Sequence, residues 1–242
     1  MKAKFAALFL VLLTSHCFGR AVMIIPIEGL MERSAVAFVG KVTSIKPSGM
    51  TTELTYPTWK DVVFEWLTVE VEVIEPIKGT KVGQSVKTYM LSTRGAGPMF
   101  NPPGMVDPKV GQHHLLFLLP TKIDGTFAAI TAPFDDDQSI FFLDRSFGEY
   151  GNYREDPKTF DKFPEYRARY EAIWSLVDDE GRITPDGAKS LRERFKTQIA
   201  TPAKKDAIVH LKWKKQTANG WDSNVPADSK APAKSQGAVT KP

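Results

Sequence analysis

The chain has 242 residues, 42% of them hydrophobic and 25% charged, with one cysteine and a formal charge of +4. That is enough to build a sizeable core, and it excludes a disulfide scaffold. The charge is uneven. Setting aside Lys2 and Lys4 leaves +2, and the stretch from Ile199 carries eight Lys against three Asp, which leaves the body from Arg20 to Gln198 at −3. A globular nucleic-acid binder concentrates Lys and Arg on its folded face, so the acidic body argues against nucleic acid as a partner.

Residues 1–19 read as a secretory signal peptide. Lys2 and Lys4 precede an apolar run from Phe5 to Leu13, and Cys17 and Gly19 put small residues where a signal peptidase reads. The run is too short for a membrane span, which needs about 20 apolar residues, and no later stretch reaches that length. The expectation is a secreted or periplasmic protein with no transmembrane segment. His16 stands where a lipobox needs a small residue, which argues against lipid anchoring through Cys17.

Ile27 to Ala35 places Leu30 and Met31 on one side and Glu28, Glu32 and Arg33 around the other, and predicts a short helix. Ala37 to Ile45 alternates as a strand with Gly40 inside it, where a bend or a close backbone approach is expected. Lys46 to Lys60 reads as a polar loop. From Phe64 the alternation runs through Trp66 and Thr68, then shifts parity to Val69, Val71 and Val73, which predicts a bulged, half-buried strand. Glu75, Pro76 and Gly79 end it, and Val82 to Tyr89 supplies the next strand.

Ser92 to Gln112 holds four prolines and four glycines, so regular structure is excluded there. Ordered loops of that length are often functional. Met99, Phe100 and Met105 are its apolar candidates for contact with a partner; the alternative is a plain surface connection. His113 to Leu119 is a continuous apolar run, as a strand buried on both faces has. Asp124-Gly125 turns the chain into a strand at Phe127 to Thr131, and Asp135 to Asp137 mark a turn before another at Ser139 to Leu143.

The pattern then becomes helical. Phe163, Tyr166, Tyr170, Ile173, Trp174 and Val177 recur at three- and four-residue steps. Ala188, Leu191, Phe195 and Ile199 do the same, with Thr184 as cap and Pro185 in the first turn. From Asn219 the composition is low-complexity and is expected to be disordered. Ile208 to Lys214 alternates Val209, Leu211 and Trp213 against His210, Lys212 and Lys214. It reads either as an edge strand guarded by lysines or as a cationic adhesive segment anchored by Trp213 on an anionic envelope polymer.

The fold class that follows is mainly β with C-terminal helices (α+β). It divides into a signal peptide (1–19), an OB-like antiparallel β-barrel (20–145), a helical hairpin packed on the barrel (146–200) and a basic, largely disordered tail (201–242). The pieces Ala37 to Val42, Val69 to Gly79, Val82 to Val86 and Val110 to Leu119 resemble bacterial exported domains related to the netrin and tissue-inhibitor-of-metalloproteinase (TIMP-like) module. The resemblance implies a five-stranded OB barrel. In the inhibitors an N-terminal cysteine binds the protease zinc and disulfides brace the fold; this chain has neither, so that mechanism transfers to none of its residues.

Catalytic signatures are absent from the sequence. His113 and His114 are adjacent, and on a strand neighbours point to opposite faces, so the pair cannot close on one metal ion. Asp135 to Asp137 could ligate calcium but read more simply as a solvated bend. Asp178 to Thr184 places Gly181 and Ile183 as an EF-hand loop would, yet Leu176 and Gly187 fall where that loop needs carboxylates. Glu70 and Glu72 share a strand face and read as its solvated side, opposite lysines. No catalytic residue, metal ligand or cofactor is assigned. The expectation is an exported, non-enzymatic binding or inhibitory module with a protein or anionic polymer as partner, its candidate contacts being Met99, Phe100, Met105 and Trp213. The alternative is a cell-envelope hydrolase whose site forms from residues distant in sequence.

Overall fold

The computed structural model describes residues 25–56, 59–92, 106–133, 136–143, 173–178, 182–204, 207–211, 214–217 and 220–222. It is mainly β with a few short helices. Helix α1 (Ile27–Arg33) leads into strands β1 (Val36–Tyr56), β2 (Trp59–Lys78), β3 (Ser85–Ser92), β4 (His113–Pro120), β5 (Thr126–Ala129) and β6 (Ile140–Phe142). Helices α2 (Pro185–Arg194) and α3 (Lys196–Ala200) follow, then strands β7 (Lys214–Thr217) and β8 (Gly220–Asp222).

The strand pairing closes on itself. β1 pairs with β2, β2 with β3, β3 with β5 in parallel, β5 with β4, and β4 back with β1. Side chains alternate across a strand, so this ring has an inner and an outer face. Phe38, Val42, Val69, Val71, Val73, Val86, Met90, Leu116, Leu118, Ala129 and Ile140 form the inner cluster. Gly40 is where β1 and β2 press together. A Cβ there would lie 2.4 Å from Val71 Cγ1 and 2.9 Å from the carbonyl oxygen of Glu72, so the close approach expected at this position is present.

The outer face is covered in two parts. On one, Ala37, Val39, Leu115, Phe117 and Phe141 pack with Leu30 and Met31 of α1, with Ile173, Trp174 and Val177, and with Leu191 and Phe195. On the other, Phe64, Trp66, Tyr89, Leu91, Leu119 and Ala128 pack with Val209 and Leu211 from the C-terminal segment. The second helical segment begins where the sequence reading puts it and breaks at Phe195 into α2 and α3. The Thr184 hydroxyl accepts from the Gly187 amide at 3.0 Å and Pro185 opens α2, capping one of the amides a helix start leaves unpaired. Phe163, Tyr166 and Tyr170 lie outside the described residues.

Two sequence expectations are corrected. The register of β2 against β1 and β3 is unbroken across Thr68 and Val69, so no bulge causes the parity shift. It arises because each half of β2 is covered on a different face. Phe64 and Trp66 are buried under the C-terminal segment, whereas Val69, Val71 and Val73 are buried inside the ring. For the same reason Trp66, Val71 and Phe117, all buried, belong to three different clusters. The second correction concerns Lys46 to Lys60. This stretch is the distal half of β1 and the start of β2. Its Pro47, Ser48 and Gly49 sit in an irregularity between Pro47 and Met50, where Gly49 has φ 71° and the Ser48 hydroxyl accepts from the Met50 amide at 3.1 Å. A bulge lets a strand absorb residues that would otherwise end it.

The tetrapeptide Lys-Val-Gly-Gln occurs twice, at residues 81–84 and 109–112, and folds the same way each time. The Gln amide donates to the Lys carbonyl at 3.1 Å in both, and the Lys amide donates to the Gln side chain, at 3.1 Å in the first and 2.8 Å in the second. The glycines have φ 74° and 95°, as the third position of a type II turn requires. One copy is tied to Val73 of β2 and starts β3; the other is tied to Val42 of β1 and starts β4.

Candidate binding surface

The polar groups singled out by the sequence are dispersed. His114 is 1% exposed, with neither ring nitrogen hydrogen-bonded among the described residues, and burial drives its pKa down to about 3, with His113 a second cause. An imidazole held neutral and out of reach cannot act on a substrate. His113 pairs with Lys41 across the strands and lies on the other face of β4. Glu70 sits opposite Lys87, and Glu72 opposite Lys41, so each acid has a lysine across the strand as anticipated. The Asp178 carboxylate takes the amide of Arg182 at 2.9 Å and its Nε at 3.0 Å, closing the turn on itself. Asp135 lies outside the described residues, and Asp136 is fully buried in a one-turn 3₁₀ segment, so the solvated bend expected there does not hold at Asp136. Among the described residues, no three His, Cys, Asp or Glu side chains stand together as metal ligands would.

Lys78 is a buried cation that sequence reading does not single out. Its Nζ donates to the carbonyls of Met31 at 2.8 Å, Glu32 at 3.3 Å and Gln198 at 3.2 Å. Desolvation lowers its pKa, with Glu32 pulling the other way. The ammonium joins the C-terminal carbonyls of α1 to α3, where a cation complements the helix dipole. Its place at the end of β2, one residue before the turn glycine, is the signal that could have found it.

Met99, Phe100, Met105 and Trp213 all lie outside the described residues. The residues that flank them are placed, however. Ser92, the last residue of β3, is opposite Glu65 of β2; Glu65 is opposite Thr51 of β1; and Thr51 is opposite Lys214, the residue after Trp213. One row across four strands therefore joins the start of the Pro/Gly segment to the end of the Trp213 segment. The two are three strand spacings apart, roughly 14 Å at about 4.8 Å each. The next row, Lys215, Met50, Trp66 and Leu91, runs beside the patch that Val209 and Leu211 cover. Val209 donates to the carbonyl of Pro120 at 2.9 Å, which anchors this C-terminal strap to the end of β4. Beneath it the indole N–H of Trp66 is buried without a hydrogen-bond partner among the described residues. The far end of the Pro/Gly segment is fixed too: Val106 is 4% exposed in the inner cluster, and Gln112 is held by Val42.

No protein-family model matches the chain, and neither a curated protein nor a solved structure matches it. Among the described residues, no helix is long and apolar enough to cross a membrane.

Proposed function

We propose that the chain is an exported, non-enzymatic binding or inhibitory module, built on an OB-like barrel of the TIMP-like kind, whose partner surface lies where the Pro/Gly segment and the C-terminal strap meet. The five-strand ring, its one parallel pair and its β1–β4 closure support the barrel reading. The observation that carries the functional reading is the row Lys214, Thr51, Glu65, Ser92. Two segments nominated independently from sequence, one for its prolines, glycines and apolar side chains and the other for its lysines and tryptophan, enter the same end of the sheet. Binding surfaces commonly combine aromatic anchors with irregular segments on a rigid scaffold. The partner is a protein or an anionic envelope polymer that meets Met99, Phe100, Met105 and Trp213.

The test is photo-crosslinking of the mature protein in an envelope extract. A photoreactive residue at Phe100 or at Trp213 should trap the same partner, and one at Val82, which is 70% exposed in the Lys81–Gln84 turn, should not. Capture from Val82 alone, or of unrelated partners from Phe100 and Trp213, would refute the shared surface.

A further inference from the structure

His114 sits where the ring closes. It is opposite Gly40 of β1 and Phe142 of β6, its ring centroid 5.5 Å from that of Phe142. It shares the strand parity of Leu116 and Leu118, so it faces the inner cluster. The next pair, His113 with Lys41, ends the β1–β4 ladder. Beyond it the chain is held by the Val42 amide on Gln112 O at 2.9 Å and the Gly111 amide on Val42 O at 2.8 Å. These two bonds anchor residues Val106 to Gln112, the end of the Pro/Gly segment.

We propose that His114 is an acid-operated latch on this seam: proton uptake by its imidazole releases the end of the β1–β4 ladder and, with it, the anchor of Val106 to Gln112. Among the described residues, a charge at this position has nothing to pair with. The residues on its face are Phe38, Gly40 and Val42 of β1, Val71 and Val73 of β2, Val86 of β3, and Ile140 and Phe142 of β6, none of them titratable. The titratable neighbour is His113 on its own strand, and a second positive charge there acts in the same sense. An uncompensated buried charge is removed by opening the structure to water.

The sign follows from linkage. The opened chain takes up the proton near 6.5 and the closed one only near 3, so closure is complete above about 6.5. It then weakens about tenfold for each pH unit below that, until the closed-state value is reached. A histidine is the side chain suited to a response in this range. An exported protein meets the pH of its surroundings directly, so acid would loosen the anchored end of the binding segment. That consequence rests on the proposed function; the latch itself does not.

The experiment is amide hydrogen exchange at Val42 and Gly111, expressed as protection factors, on the mature protein at pH 7.5 and pH 5. The wild type should lose about thirtyfold protection at both amides, the factor set by one proton taken up below about 6.5. His114→Leu should lose none, and His113→Asn should keep the loss. Equal losses in wild type and His114→Leu would overturn the proposal. Should His114→Leu not fold, the wild-type imidazole resonances decide: titration of His114 above pH 5 with Val42 and Gly111 still protected would overturn it, and titration in step with their loss of protection would support it.

Discussion

The two halves of the ring's outer face are closed by different means. On one half, α1, α2, α3 and the turn at Ile173 to Val177 bury Phe117, Phe141 and Leu115 under a layer of their own, and Lys78 ties α1 to α3 through three carbonyls. Two ion pairs, Arg192 with Glu75 and Arg194 with Glu28, add exposed links from α2, each worth little by itself. On the other half a strap presenting Val209 and Leu211, held among the described residues by the Val209 amide on the Pro120 carbonyl and a parallel bridge to Thr121, covers Trp66 and Phe64. The contrast teaches that burial of a sheet face can be either part of the fixed body or a light cover. The light cover lies beside the row that carries Ser92 and Lys214, the residues flanking the two nominated segments.

Substitutions can break or sharpen this contrast, beginning with the core both halves depend on. Val71 is fully buried on the inner face. Val71→Asp should therefore abolish folding, because the carboxylate has no partner there; a soluble, cooperatively melting variant would contradict the inner-face assignment. Between the halves, Trp174→Ala on the helical side should cost about 3 to 5 kcal/mol in chemical denaturation, the usual range for a large buried aromatic. Leu211→Ala on the strap side should cost no more than about 2 kcal/mol, since a peripheral strap can settle into the space left. Reversal of that order would place the fixed wall on the wrong half.

Lys78→Ala removes a donor from three helix carbonyls and should cost about 2 to 3 kcal/mol, the range for hydrogen bonds to a charged group. It should loosen α1 and α3 in hydrogen exchange and leave the strap unaffected. The smallest effects belong to the twin turns. Gly83→Ala and Gly111→Ala meet no atom within 4 Å but force an alanine into positive φ, so each should cost about 1 kcal/mol. The two values should match closely if the turns are as alike energetically as they are in geometry.

Local signals were the legible ones. Thr184, Pro185, Ala188 and Leu191 state a helix start and its buried stripe within eight residues, and the structure places all of them so. The apolar run of β4 announces a strand covered on both faces, because neither parity offers a polar side. What sequence could not state is which element covers which face. Phe64 and Trp66 look out of phase with Val69 and Val71 until the strap contributed from Val209 and Leu211, far along the chain, is known to lie over them. Likewise Pro47 and Gly49 read as a loop because the bulge that keeps them in β1 depends on pairing with β2. The repeated Lys-Val-Gly-Gln was readable as a recurring turn and is the clearest missed signal. Of the proposed surface, sequence supplied the residue types, and the register across β7, β1, β2 and β3 placed only the flanking Ser92 and Lys214.

The central claim is that partner binding belongs to the strap end and not to the helical flank. The measurement that tests it most directly is quantitative capture of the proposed partner from an envelope extract by three proteins lacking residues 1–19: the wild-type sequence, a variant carrying Met99→Ser, Phe100→Ser and Trp213→Ala, and a variant carrying Arg192→Ala and Arg194→Ala on α2. The account predicts that the first variant loses capture at least tenfold while its melting temperature stays near that of the wild type, and that the helical-flank variant captures as the wild type does. Unchanged capture by the first variant, or loss confined to the second, would contradict it.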